Sequence, residues 1–323
     1  MKTLWRNILK NNVIIITGPT ASGKSDIAIQ IAKAFNGEII SADSQQVYQN
    51  MDIGTNKTKK FDGIKHHLLD IINPDENFSV EDFSNRANVL IQDINNRGKV
   101  PIIAGGTGFY IDSILFDMNY GQVSQKPKLR QNLQGIADEK GNEYLYNKLE
   151  DIDPKTAKKY HPNETNRIIR ALEIYEVTGK APSEVRLGEK ELNKDINPIL
   201  FFLNYNDRTS IYEKINNRVI KMIDEGLIEE FTEVTKKYNL DQDSQSMAAI
   251  GYKELFPFIR NEIDIDELID LIQKNTRHYA KRQTTWMKRY LQYGFTHEII
   301  MDNIDKNDAA DAIISIIKET YEF

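Results

Sequence analysis

The run Gly18-Pro19-Thr20-Ala21-Ser22-Gly23-Lys24-Ser25 has the spacing G-x-x-x-x-G-K-S. A loop of this composition suits a di- or triphosphate. Its backbone amides converge on phosphate oxygens, and the start of the following helix adds a favourable dipole. Lys24 supplies a point charge, and the Ser25 hydroxyl can help hold Mg²⁺. The loop is set for a phosphorylated ligand without saying which bond is broken. Asp43 is a second candidate. It follows the apolar run Gly37–Ala42 and could accept a proton from an attacking nucleophile. By position alone it is equally well read as a turn or helix-capping aspartate. Asp70, inside the run His67–Ile72, is open to both readings too: a Mg²⁺ carboxylate or a strand-end residue. Arg208 and Arg218 lie ten residues apart, nearly on one face of a helix, where either could clamp phosphate.

Between Leu271 and His297 there is no acidic residue, whereas Lys274, Arg277, Lys281, Arg282, Lys288 and Arg289 are basic. Tyr279, Trp286, Tyr290 and Tyr293 are interleaved with them. Such a stretch is commonly a solvated helix face. The absence of acids over this length favours a polyanion. Other chemistries are excluded or disfavoured. There are no cysteines, hence no disulfide, thiolate metal site or cysteine nucleophile. Asn56-Lys57-Thr58-Lys59 lacks the aspartate of a guanine-reading motif, which disfavours a GTPase.

Positioning these groups requires an α/β fold. Val13–Thr17, Gly37–Asp43, His67–Ile72 and Val100–Ala104 read as strands. Asp26–Phe35 and Ser79–Arg97 read as helices, the second with Ser79 as N-cap and Asp82 three residues on. Alternating strands and helices predict a P-loop NTPase-like parallel sheet flanked by helices, with ligands outside the carboxyl ends of its strands. The phosphate loop, Asp43 and the glycines of Gly105–Gly108 should then line one crevice. From residue 117 to 197 the chain turns polar and helix-prone, and the strand pattern resumes at Ile199–Leu203. The expectation is a catalytic core of 1–116 and 198–323 carrying a helical insertion domain at 117–197. The 323 residues carry a net charge of −6, with 40% hydrophobic and 28% charged residues. No apolar run reaches the length of a membrane span, and Met1–Lys10 lacks the features of a secretory signal. A cytoplasmic protein without membrane contact is expected, with a monomer as the simplest state.

The ordered set of motifs resembles the tRNA dimethylallyltransferase (tRNA isopentenyltransferase) family along nearly the whole chain. It comprises Gly18–Ser25, Asp43-Ser44-Gln45-Gln46-Val47-Tyr48, His66–Asp70, Gly105-Gly106-Thr107-Gly108-Phe109-Tyr110, Asn166–Glu173, Gly251–Glu254 and Tyr279-Ala280-Lys281-Arg282-Gln283. The chain departs from the family pattern at Gln45, where methionine is usual, and across Gly54-Thr55-Asn56-Lys57-Thr58. The resemblance implies transfer of a dimethylallyl group from dimethylallyl diphosphate to N6 of the adenosine beside the tRNA anticodon, with Mg²⁺ as cofactor. It assigns Asp43 as base, Thr107 to the bridging oxygen and Arg218 to the diphosphate, which Gly18, Pro19, Thr20, Ala21, Ser22, Gly23, Lys24 and Ser25 also bind. It places Asp43, Ser44, Gln45 and Gln46 at the flipped base. The anticodon arm falls to Arg130, Arg167, Ile168, Ile169 and Arg170 on the insertion, and to Ala248, Ala249, Ile250, Gly251, Tyr252 and Lys253. Arg277, Lys281 and Arg282 join them from the basic stretch. The alternative is a P-loop kinase for a nucleoside or small metabolite, in which Asp43 activates a hydroxyl and the basic stretch has no role.

Overall fold

A computed structural model describes residues 11–58, 61–118, 126–185 and 191–320. Met1–Lys10, read above for a secretory signal, and Lys59 of the base-reading comparison lie outside them. The described chain forms two compact units. One joins the residues up to Leu115 to those from Asn193 onward; the other is Phe116–Leu192.

The first unit opens with β1 (Asn11–Thr17), α1 (Lys24–Ala34), β2 (Gly37–Ser41), β3 (His66–His67), α2 (Val80–Asn96), β4 (Val100–Gly105) and α3 (Gly108–Leu115). The second unit consists of α4 (Pro127–Lys140), α5 (Asn142–Ile152), α6 (Pro154–Ala157) and α7 (Thr165–Thr178). The first unit then resumes with β5 (Ile196–Asn204), α8 (Arg208–Asp224), α9 (Leu227–Tyr238), α10 (Leu255–Ile259), α11 (Ile265–Met287), β6 (Thr296–Ile300) and α12 (Lys306–Thr320). The unit boundaries fall at 116 and 192 rather than 117 and 197. Asn193 already hydrogen-bonds Leu115 O, and β5 starts at Ile196, ahead of its apolar run.

The six strands pair in the order β3-β2-β4-β1-β5-β6, all parallel. β1 lies between β4 and β5, and Val13–Thr17 are buried, as a strand covered on both faces requires. On one side Ile14 and Ile16 pack with Ile27 and Ile31 of α1 and with Ile313 and Ile317 of α12. α2 begins with the expected capping box: the Ser79 hydroxyl accepts the Asp82 amide, and the Asp82 carboxylate accepts the Ser79 amide. Such a cap is worth about 1 kcal/mol. The third strand is a correction. It covers only His66–His67, because Leu68 (φ 60°) and Asp70 (φ 53°) turn left-handed and end the extended run.

In the second unit Leu133, Leu145, Leu149, Ile168, Ile169 and Leu172 form a small core. Glu173 is fully buried and accepts from the Lys126 amide (2.6 Å), Arg130 Nη2 (2.9 Å) and Arg170 Nη1 (2.6 Å). Burial would raise its pKa, but these donors outweigh burial and hold the carboxylate below its ordinary range. Asp153 caps α6 through the Thr156 amide and also accepts the Ser183 amide at 2.6 Å.

Candidate active site

The phosphate loop joins β1 to α1. Ala21 (φ 64°) and Gly23 (φ 87°) are left-handed, the backbone device that builds an anion-binding concavity ahead of a helix N-terminus. Lys24 Nζ donates to Pro19 O at 2.7 Å. Burial pushes the Lys24 ammonium down to about 8, Asp43 opposes the shift and Arg218 adds to it. Burial also lowers Arg218, again opposed by Asp43. The arginine donates through Nη1 to Thr20 Oγ1 at 2.6 Å. Its Nε is buried without a partner among the described residues, a donor suited to a substrate oxygen.

Asp43 follows the carboxyl end of β2, as expected. One carboxylate oxygen accepts the Gln45 amide at 2.9 Å, so the residue does shape a turn. It also lines two cavities. The first, about 240 Å³, is bordered by Ser44, Gln45, Gly54, Thr55, Val219, Met222, Ala248–Ile250, Lys253, Tyr279 and Arg282. The second, about 450 Å³, is bordered by Lys24, Ser25, Gln46, Lys214, Lys221 and Lys306. Thr20, Asp43, Thr55 and Arg218 line both. The first is mixed apolar and polar, whereas the second is cationic: its four lysines and Arg218 outnumber Asp26, which pairs with Lys306, and Asp43. The carboxylate therefore lies where a cationic cavity and a mixed apolar and polar cavity meet.

β4 delivers Gly105 and Thr107 to the same place. A Cβ on Gly105 would lie 2.2 Å from Ala42 O, so only glycine lets the two loops approach this closely. Thr107 donates its amide to Ala42 O (3.2 Å) and accepts the Ser44 amide on its hydroxyl (3.1 Å). Tyr279 of α11 borders the first cavity with Arg282.

The sequence-predicted residues divide clearly. The phosphate loop, Asp43, Ser44, Gln45, Gln46, Thr107 and Arg218 converge. Ala248, Ala249, Ile250 and Lys253 border the first cavity, and so does Arg282, its guanidinium 5.7 Å from the Tyr279 ring. Gly251 and Tyr252 are buried, and Tyr252 donates to Glu230 at 2.5 Å, so that ring is a support rather than a contact surface. Lys281 is exposed on α11, while Arg277 donates to Asn216 at 2.7 Å. Arg208 sits exposed at the start of α8, among neither cavity's lining residues. Asp70 pairs with Lys57 at 2.5 Å and lines neither cavity, which removes it as a Mg²⁺ carboxylate. In the second unit Ile168 and Ile169 belong to the core and cannot present their side chains to a partner. Arg130 and Arg170 both hold Glu173, and Arg167 is exposed, donating to Glu164 at 2.6 Å. The sequence reading missed Tyr279 and the lysines of the cationic cavity, Lys214, Lys221 and Lys306. Tyr279 belongs to the Tyr279-Ala280-Lys281-Arg282-Gln283 motif, whose only sequence signal is its basic charge.

Residues 46–290 match the family model described as IPP transferase. A tRNA dimethylallyltransferase of Thermoanaerobacter sp. (strain X514) is 48% identical over 281 residues, covering 86% of this chain and 89% of that protein. The one from Caldanaerobacter subterraneus subsp. tengcongensis is 45% identical over 302 residues, covering 90% and 96%. Among solved structures, the full-length tRNA isopentenylpyrophosphate transferase of Bacillus halodurans superposes with a TM-score of 0.71 at 37% identity, covering 97% of each chain. A eukaryotic dimethylallyltransferase acting on tRNA reaches 0.80 at 30% identity, covering 96% of this chain and 79% of that one. With the motif order, the parallel sheet and the junction at Asp43 all in agreement, the chain belongs to the tRNA dimethylallyltransferase (IPP transferase) family.

Proposed function

We propose that the chain transfers a dimethylallyl group from dimethylallyl diphosphate to N6 of the adenosine 3′-adjacent to the anticodon of tRNA, releasing diphosphate. The observation that carries this reading is the meeting of a cationic cavity and a mixed apolar cavity at Asp43, Thr20 and Arg218. In the reaction the N6 lone pair forms a bond to the allylic carbon, and the carbon–oxygen bond breaks with its electrons leaving on diphosphate. The N6 proton passes to the Asp43 carboxylate. Lys24 and Arg218 bind the leaving group, and Thr107 faces its bridging oxygen. These donors are held before the reaction begins, so they meet the developing charge with little reorganisation. The donor set fits Mg²⁺ as a hard cation: the Ser25 hydroxyl would help hold it, and it would supply further charge neutralisation for the leaving diphosphate. The RNA base leaves its stack to reach the cavity beside Ser44 and Gln45, and the buried Gln45 Oε1, without a partner among the described residues, offers it an acceptor. We take one chain as the working unit and the cytoplasm as its place of action; no described helix is long and apolar enough to cross a membrane.

The test is to incubate the protein with unmodified tRNA, Mg²⁺ and dimethylallyl diphosphate, digest the RNA and weigh its nucleosides. A five-carbon gain on adenosine is expected. Untouched adenosine, together with phosphoryl transfer from ATP to a small acceptor, overturns the reading in favour of the kinase.

The Lys24 ammonium adds a pH dependence. In the free enzyme it loses its proton near pH 8, whereas a bound diphosphate favours the protonated form. Affinity for the allylic diphosphate is therefore expected to be full below that value and to weaken above it, by up to roughly tenfold per pH unit. The ligand's own phosphate titrates near about 6 and stays ionised over this window. Calorimetric titration across the range measures the slope, and Lys24→Arg, which keeps its charge, should flatten it. A slope shared by both proteins removes Lys24 as its source.

A further inference from the structure

We propose that Gln283 is a positioning residue for this reaction, fixing the phosphate loop and the Thr107 loop at one separation; the assignment rests on the transfer reading above. Gln283 lies on α11 and is 6% exposed. Its Oε1 accepts the Thr20 amide at 2.8 Å, and its Nε2 donates to Gly106 O at 3.0 Å. One side-chain amide thus ties the loop that cradles the leaving group to the loop that carries Thr107.

The bridge is built on rigid parts. Ala280 and Met287, one turn to either side of Gln283, are buried, and Met287 Sδ accepts the Thr17 hydroxyl at 3.2 Å. Beyond the end of α11, Tyr290 donates to the buried Asp112 of α3 at 2.7 Å. Thr20 is pinned twice, on its amide by Gln283 and on its hydroxyl by Arg218. Its amide is therefore committed to α11 rather than to phosphate. Gly106 is shaped to the same contact, because a Cβ there would lie 2.2 Å from Gln283 Nε2.

The residue type follows from the two partners. One is a donor and the other an acceptor, and a neutral side-chain amide serves both at once. Glutamate would accept from Thr20 but set a carboxylate against the Gly106 carbonyl, close to a diphosphate. Leucine fills the space and makes neither bond. Asparagine is one methylene short of spanning the gap.

Loss of the bridge should misplace Thr107 relative to the leaving group while leaving each binding surface intact. Misplacement on the ångström scale costs up to about a hundredfold in rate. In Gln283→Leu, kcat for prenyl transfer should fall roughly ten- to a hundredfold, with KM for tRNA and the Kd of Mg²⁺-diphosphate within about threefold; in Gln283→Glu, kcat should fall at least as far with KM for tRNA within about threefold, while the added carboxylate also weakens diphosphate binding. The melting temperature of each variant, measured alongside, shows that folded protein is being compared. A double-mutant cycle supplies the second readout. Gly106→Ala should slow kcat in the parent and cost much less in a Gln283→Ala background, where the obstructing amide is gone. Undiminished kcat in both single variants overturns the assignment. So does a rise in KM for tRNA at constant kcat, which makes Gln283 an RNA contact, and so does simple additivity in the cycle. A parent enzyme that prenylates no tRNA overturns the transfer reading itself, and that result is distinct from an active parent with unaffected variants.

Discussion

Replacing Asp43 by alanine is expected to slow prenyl transfer by roughly a hundred- to ten-thousand-fold, the range for loss of a positioned general base, while tRNA and diphosphate still bind. Asp43 has two roles in the structure: its carboxylate accepts the Gln45 amide and so shapes a turn, and it lies where the two cavities meet. Asparagine separates the roles. Its side-chain oxygen can keep the bond to the Gln45 amide, but it cannot take up a proton at neutral pH. If the residue mattered only as a turn former, Asp43→Asn would restore activity. If it is the base, Asp43→Asn is nearly as slow as Asp43→Ala. Single-turnover rates with saturating enzyme read the chemical step, and filter binding reads tRNA affinity. Near-parent rates in the asparagine variant would remove Asp43 from proton transfer and leave it a purely structural residue.

What was legible in the sequence was local. The phosphate loop declares itself because strand, glycines, lysine and helix are consecutive, and the cap of α2 needs only Ser79 and Asp82. Asp43 is visible through its place after an apolar run, and both of its readings, turn former and proton acceptor, follow from that place. The third strand was overextended because apolar residues continue to Ile72 while the backbone turns at Leu68 and Asp70. Contacts across long separations stayed hidden. Gln283 meets Thr20 across 263 residues, and a neutral amide within a basic stretch carries no sign of a bridging role. Charge misled in the second unit. Arg130 and Arg170 have the right chemistry for RNA, yet Glu173 draws both to a buried carboxylate. Ile168, Ile169 and Leu172 have the helical spacing of a core face, and they lie in the core of that unit rather than at an RNA surface.

Among stability effects, the largest is expected at Glu230. Its carboxylate accepts the amides of Asp52 (2.7 Å), Ile53 (2.8 Å) and Gly54 (3.1 Å), together with the Tyr252 hydroxyl (2.5 Å). Three consecutive amides around one carboxylate form an anion nest, here filled from within the protein. Tyr252 is fully buried, and burial together with the neighbouring Glu230 charge raises its pKa far above the usual phenol range, so it stays a donor. Gly54 completes the knot, since a Cβ there would lie 2.1 Å from the Tyr252 ring. Glu230→Ala strips these donors of their acceptor. Water can reach the exposed Asp52 amide but not the buried hydroxyl, so the cost should be about 3 kcal/mol, or roughly a 5–10 °C fall in melting temperature for a unit this large. Tyr252→Phe removes one donor without exposing the nest and should cost about 1 kcal/mol. Glu230 lines neither cavity, but Gly54 and Thr55 border the first. A weakened nest should therefore raise KM for tRNA more than it lowers kcat. A Glu230→Ala protein melting within about 1 °C of its parent would mean that the loop holds its shape through Lys57 and the Met51–Thr55 bond instead.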